Sequence, residues 1–268
     1  MAACGDRKIR VFDLKTGDLL HSSTDLGFIS KFISISHDST FVLTSKEKAT
    51  VIQGFDTETN APLFTYNKGA SSLAFVDDNR FVSSSQYSTE GFVWNVDDNE
   101  PTHTILLEYA DGYDDHKVMA MCPTMFLIGD GSLIKAFEFA NNEWTHKYTF
   151  TGHLKPITSL TKVNESLFVS TSWDETAKLW DINKDSKCLF TFLGHTVPIE
   201  SSVFLQDQKA IATGDQNGNI AVWSIKAYLE NNREEDDTQR TARSANQDHN
   251  AHGHDGNGDQ YPNICSEP

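Results

Sequence analysis

Apolar residues in this chain come in short runs separated by polar turns, and the runs return on a regular beat. Six aromatic residues, Phe12, Phe55, Trp94, Phe137, Trp180 and Trp223, sit in similar contexts: "VFDL", "GFDT", "VWNV", "AFEF", "LWDI" and "VWSI". Their spacings are 43, 39, 43, 43 and 43 residues, a period that marks a structural repeat. A polar turn follows each of the first five aromatics, such as "KTGD", "DDNEP" or "NKDSK", and a second apolar segment follows the turn. Upstream lie further β-type runs, as in "PITSLTKV" and "SLFVSTS" before Trp180. Short segments rich in Val, Ile, Phe and Thr, bounded by Gly, Asn, Asp and Pro, predict hairpins. Four strands per unit with no helical periodicity between them describe an all-β propeller blade.

The two ends of the pattern are incomplete. Residues 1–14 align with the second and third strands of a unit, and "KAYLENNREEDD" after Trp223 offers no convincing fourth strand. The strand count is therefore three, then four units of four, then three, which is 22 in all. A closed ring of six blades needs two more. The expectation is a truncated seven-blade ring rather than an imperfectly closed six-blade one, with exposed edges and a tendency to associate. Residues 1–226 are assigned to the repeats. Residues 227–268 form an acidic, His-containing tail of disordered composition, with nine acids against three bases from residue 229 onward.

The units near the C-terminal end add "GH" at 152–153 and 194–195 and the pair Trp180-Asp181. On these residues the chain resembles the WD40-repeat family over roughly residues 2–225. The resemblance is closest in blades five (151–193) and six (194–225). It implies a WD40-type β-propeller with about six recognisable blades, the first and last incomplete. Blades one to four depart from the pattern: Phe replaces Trp in three of them, and "GH" is absent or displaced.

The resemblance also implies a hydrogen-bonded tetrad within a blade. His153, Ser170, Asp174 and Trp180 form it in blade five, and the same offsets give His195, Thr213, Asn217 and Trp223 in blade six. Ser170, His153 and Asp174 also have the residue types of a hydrolytic triad. The set recurs in blade six with Thr and Asn substituted, which a staple tolerates and a nucleophilic device does not. The offsets place Ser84, Ser88 and Trp94 in blade three, and Leu127, Gly131 and Phe137 in blade four with His116 out of register.

The formal charge of −16 argues against nucleic-acid binding, which draws on clustered positive charge. No apolar run approaches membrane length, and charged residues in "MAACGDRKIRVF" oppose a signal peptide. The four cysteines are scattered without a C-x-x-C pair, which predicts reduced thiols and a cytoplasmic or nuclear protein. No cofactor is expected. His249, His252 and His254, and the "DGNGDQ" stretch at 255–260, fall short of a metal site.

The function expected is a non-catalytic protein–protein interaction scaffold, a subunit of a multiprotein complex; the alternative is the substrate receptor of a ubiquitin ligase. The Trp-Asp-x-Arg of family receptors is missing, since Ile182 and Asn183 follow Trp180-Asp181. Partner contacts are expected on one rim, at Trp173 and Tyr87 and, more weakly, Lys155 and Gln216. The acidic loop "YADGYDD" (109–115) would favour basic protein or peptide partners.

Overall fold

A computed structural model describes residues 2–230, except 6, 14, 24, 26–29, 37–40, 47–50, 57, 60, 69, 86–87, 108–115 and 185. Its strands group into six antiparallel sheets, each a blade. Blade one holds β1 (Ala2–Gly5), β2 (Lys8–Phe12) and β3 (Leu19–Ser22). Blade two holds β4 (Ser30–Ile35), β5 (Phe41–Lys46), β6 (Ile52–Asp56) and β7 (Pro62–Tyr66). Blade three holds β8 (Ser72–Phe75), β9 (Arg80–Ser84), β10 (Glu90–Asn95) and β11 (His103–Leu106). Blade four holds β12 (Lys117–Cys122), β13 (Met125–Asp130), β14 (Leu133–Ala140) and β15 (Glu143–Phe150). Blade five holds β16 (Ile157–Lys162), β17 (Leu167–Ser172), β18 (Ala177–Asp181) and β19 (Cys188–Phe192). Blade six holds β20 (Ile199–Leu205), β21 (Ala210–Asp215) and β22 (Ile220–Ser224).

Each sheet is a meander in chain order, because short polar turns can join only antiparallel neighbours. The strand pattern among the described residues, three, four, four, four, four and three, is the one that the apolar runs predict.

Strands buried on both faces need apolar residues at nearly every position. In blades four and five the second strands, β13 (MFLIGD) and β17 (LFVSTS), are buried along their whole length, the hydroxyls of Ser170, Thr171 and Ser172 being hydrogen-bonded. Their neighbours are covered less completely: β14 buries Ile134, Ala136 and Phe137 among its eight residues, and β16 buries Ile157 alone. The core therefore lies between blades. Met121, Leu127, Ile134, Ala136 and Phe150 of blade four pack against Ile157, Phe168 and Trp180 of blade five. Val82, Val93 and Ile105 of blade three pack against Phe126, Ile128 and Phe137 of blade four.

Hydroxyls also stitch the first strands of blades five and six. Thr158 Oγ1 donates to the Ile199 carbonyl at 2.7 Å, and Thr161 Oγ1 lies 2.7 Å from Ser202 Oγ.

Two expectations are corrected. Residues 226–230 form a short helix rather than the start of a tail, because Tyr228 and Leu229 pack on the core shared by blades five and six. The Tyr228 ring lies 5.8 Å from that of Phe190. Residues 231–268, including His249, His252 and His254, lie outside the described residues. Cys122 is disulfide-bonded where reduced thiols were expected, since sequence spacing does not reveal which residues the fold brings together; Cys188 is a free thiol.

Candidate functional site: blade staples and the rim they hold

In blade five the strands deliver four side chains to one point. β17 presents Ser170 and β18 presents Trp180, while the loop before β16 supplies His153 and the β17–β18 turn supplies Asp174. Trp180 Nε1 donates to Ser170 Oγ at 2.8 Å, and Ser170 Oγ lies 2.7 Å from His153 Nε2. His153 Nδ1 meets Asp174 Oδ2 at 2.8 Å. A carboxylate only accepts, so Nδ1 carries the proton and Nε2 accepts from the serine hydroxyl. Asp174 further accepts from the Leu154 N–H at 2.9 Å and from Thr176 Oγ1 at 2.6 Å.

Burial pushes the His153 pKa down, outweighing the pull of the Asp174 carboxylate in the other direction. Burial works to raise Asp174. The hydrogen bonds from His153, Thr176 and the Leu154 N–H overcome it and hold the carboxyl well below its usual range.

The glycine of the "GH" pair has a steric cause. Gly152 has φ +152, and a Cβ there would lie 3.2 Å from the Trp180 ring. Gly194 repeats this at φ +158, with 2.9 Å to Trp223. A side chain at either place would push the indole off its serine or threonine.

This geometry does not support nucleophilic chemistry. Ser170 is fully buried, and its oxygen accepts from Trp180 while its proton goes to His153. A nucleophile needs an approach path and a free lone pair. The four residues close a network across two strands, the turn between them and a loop, and such a network fixes sheet register.

Blade six builds the same staple with one change. Trp223 Nε1 donates to Thr213 Oγ1 at 2.8 Å, and His195 Nε2 lies 2.8 Å from that oxygen. His195 Nδ1, however, meets Asp215 Oδ2 at 2.9 Å rather than Asn217. Asp215 ends β21 with its side chain turned inward. It accepts from the N–H groups of Asn217 (3.0 Å) and Asn219 (2.9 Å) and from Asn219 Nδ2 (3.1 Å). Burial acts to raise its pKa, but the hydrogen bonds from His195 and Asn219 bring it down to about 2. Asn217 is left exposed in the turn, where its backbone serves Asp215.

Blades three and four also depart from the sequence offsets. Trp94 Nε1 donates to Ser83 Oγ at 2.8 Å, not to Ser84, because the β9–β10 connection is one residue longer and shifts the pairing. Ser84 Oγ instead donates to the His116 carbonyl at 2.7 Å. In blade four Ile128, not Leu127, takes the place of the hydroxyl residue, paired with Lys135 as Ser170 is with Lys178. His116 joins the two blades, with Nε2 3.1 Å from the Ser88 carbonyl and Nδ1 3.3 Å from that of Gly129.

The staple of blade five holds a rim. The Trp173 N–H donates to the Pro156 carbonyl at 3.1 Å, and Ser172 Oγ donates to the Lys155 carbonyl at 2.8 Å. These bonds clamp the 153–156 loop to the 172–174 turn. Trp173 is half-buried, and its Nε1 has no acceptor among the described residues. Lys155 is exposed beside it. Leu154, which sequence reasoning passed over, is 87% exposed although its N–H is anchored on Asp174. The available signal was an apolar residue between the histidine and Pro156 in a loop whose backbone the staple fixes.

Gln216 holds the place of Trp173 in blade six: its N–H donates to the Pro198 carbonyl at 3.0 Å, and its Nε2 donates to Glu200 at 2.6 Å. Tyr87 and the 109–115 loop lie outside the described residues. No group of three or more metal-ligating side chains occurs among the described residues.

Comparison with known proteins agrees with the staples. Residues 144–181 and 186–224 match the family model "WD domain, G-beta repeat". The chain is 25% identical over 181 residues to human Apoptotic protease-activating factor 1, covering 60% of this chain and 14% of that protein. It is 38% identical over 77 residues to Periodic tryptophan protein 2 of Saccharomyces cerevisiae, covering 28% of this chain and 8% of that protein. The chain thus spans a small part of the length of these relatives. The crystal structure of the C-terminal WD40 domain of Sif2 superposes with a TM-score of 0.67 at 20% identity, covering 83% of this chain and 62% of that one. Residues 144–181 and 186–224, which carry the Trp–Ser/Thr–His–Asp staples of blades five and six, are thus repeats of the WD40 family, and the chain as a whole has the blades of the WD40 fold.

Proposed function

We propose that the protein is a non-catalytic scaffold, a subunit of a multiprotein complex, and that it holds a partner on the rim of blade five. The observation that carries this is Leu154, an exposed apolar side chain on a loop made rigid by the Asp174 carboxylate. Lys155 and the half-buried Trp173 flank it. A fixed apolar and aromatic cluster gives up little conformational freedom on binding, the property that makes such residues energetic centres of interfaces. Further support comes from the commitment of Ser170 and His153 to the staple, which leaves the site without a free nucleophile or base. The chain's net charge of −16 favours basic protein or peptide partners over nucleic acid or an anionic membrane surface. No helix among the described residues is long and apolar enough to cross a membrane. A cytoplasmic or nuclear location accords with this reading.

The experiment is affinity purification of the chain with mass spectrometry, run beside Leu154→Asp and Trp173→Ala. The expected result is a stoichiometric partner set recovered by the parent chain and largely lost by both variants, with unfolding midpoints unchanged for Leu154→Asp. Undiminished recovery with both variants overturns the rim as the site. Stoichiometric recovery of cullin-adaptor components would replace the scaffold reading with that of a ligase receptor.

A further inference from the structure

The turn between β17 and β18 has the same hydrogen bonds as its counterpart in blade six. In blade five the Glu175 N–H donates to the Ser172 carbonyl at 3.3 Å, and the Ser172 N–H to the Thr176 carbonyl at 3.2 Å. In blade six the Gly218 N–H donates to the Asp215 carbonyl at 3.0 Å, and the Asp215 N–H to the Asn219 carbonyl at 3.0 Å. Both turns need a left-handed backbone at one residue, with φ +69 at Glu175 and φ +82 at Gly218. Blade six meets the need with glycine, which has no Cβ to crowd the following carbonyl. Blade five meets it with a long charged residue, for which that conformation is disfavoured.

The fold gives the Glu175 side chain nothing in return. Three charged residues among the described ones have positive φ: Arg7 at +65, Glu175 at +69 and Lys209 at +48. Arg7 pairs with Asp25 at 2.7 Å, and Lys209 pairs with Glu230 at 3.4 Å. The Glu175 carboxylate has neither an ion pair nor a hydrogen bond among the described residues, Lys155 included. A Cβ at Gly218 would meet no atom within 4 Å, so a side chain at this step of the turn projects away from its blade. Glu175 is partly exposed.

Its place on the rim is fixed from both sides. Glu175 follows Asp174, whose carboxylate anchors the Leu154 N–H at 2.9 Å, and it lies two residues beyond Trp173. An anion without a donor thus adjoins a rigid apolar and aromatic cluster. Residues held in a disfavoured backbone conformation gather at sites that clamp a ligand.

We infer that Glu175 selects the partner held on the rim of blade five: its carboxylate receives a lysine or arginine of a peptide segment whose neighbouring apolar residue packs on Leu154 and Trp173. An ammonium or guanidinium is the complement because it supplies the donors that the carboxylate lacks. The inference rests on the proposed rim site and adds the group that reads charge there.

A phage-displayed library of random peptides, panned on the full chain, is the probe. Peptides enriched by the parent chain are expected to carry lysine or arginine next to an apolar residue. Their affinity is expected to fall about tenfold with Glu175→Gln. A library panned on Glu175→Lys is expected to enrich acidic residues at that place instead. Glu175→Gly relieves the backbone, so it is expected to lose peptide affinity to the same extent while its urea midpoint stays at or above the parent's. Peptides that lose affinity for Leu154→Asp but not for Glu175→Gln leave the rim site standing and overturn the selecting role of Glu175. Peptides indifferent to both variants overturn the two readings together. An absence of basic enrichment, or a clearly lower midpoint for Glu175→Gly, also overturns the inference, the latter because the side chain would then serve the fold.

Discussion

Blades five and six carry nearly the same residues on nearly the same frame, and they differ in what covers them. In blade five Trp180 and the Ala177–Leu179 row are fully buried between two neighbouring blades. In blade six Trp223 is half-buried, and the Ile220–Val222 row is exposed. Both blades nonetheless complete the hydrogen-bond chain from indole to hydroxyl to imidazole to carboxylate at 2.7–2.9 Å. The staple is thus a property of a single blade. Apolar burial is a property of a pair of blades. A repeat protein separates the two in this way because each repeat touches only its neighbours.

The largest expected effect breaks the comparison at the apolar row. Leu179→Ala removes packing between two blades and is expected to cost about 2–5 kcal/mol in urea unfolding. Val222→Ala, the same place one repeat on, is expected to stay within about 0.5 kcal/mol at a concentration where the chain is a single copy. Equal losses at the two positions would mean that blade six is covered in solution.

A smaller effect sharpens the comparison at the acidic member. Asp215→Asn replaces the acceptor that His195 Nδ1 and the Asn219 donors share, and it is expected to lower the unfolding midpoint clearly. Asn217→Ala keeps the backbone N–H that serves Asp215 and is expected to shift stability by no more than about 0.5 kcal/mol. The reverse ranking would restore Asn217 to the staple.

The pH response is the subtlest difference. Asp215 has a folded pKa of about 2 against a usual value of 3.8, so its stabilisation is complete above the usual value. It is lost as pH falls from there through about 2. Asp174, shifted in the same direction, adds to that acid-side loss. His153 is pushed below its usual 6.5, so the folded state holds fewer protons than the unfolded chain. Its contribution is therefore present above pH 6.5 and declines as pH drops below that. Midpoints measured from pH 7.5 to 4.5 are expected to fall for the parent chain and to fall less for His153→Gln. Parallel curves would remove His153 as the cause.

Much of the fold was legible in the sequence. Strand number and blade grouping follow from where polar turns interrupt apolar runs, and the aromatic beat carries the repeat through blades whose staple is lost. The site was legible in blade five because its hairpin has the standard length. It was misread in blade three, where one extra residue in the β9–β10 connection hands the role from Ser84 to Ser83. Spacing along the chain cannot report such a slip, since pairing register is decided by the whole sheet. Asn217 was misread for a related reason: Asp215 and Asn217 share one turn, and only the direction of the side chains separates them. Exposure was the least legible property. Ile220 and Ala177 occupy the same step of the repeat, and nothing local tells the covered residue from the bare one.

Equilibrium urea unfolding of Ser170→Ala, followed by far-ultraviolet circular dichroism, tests the central claim most directly. That claim is that His153, Ser170, Asp174 and Trp180 hold a blade together and perform no chemistry. Removing the shared oxygen leaves the Trp180 indole N–H and His153 Nε2 buried without a partner, so the predicted result is a loss of about 1–3 kcal/mol with an unchanged denaturant slope. A variant as stable as the parent, with a hydrolytic activity of the parent abolished, would contradict it.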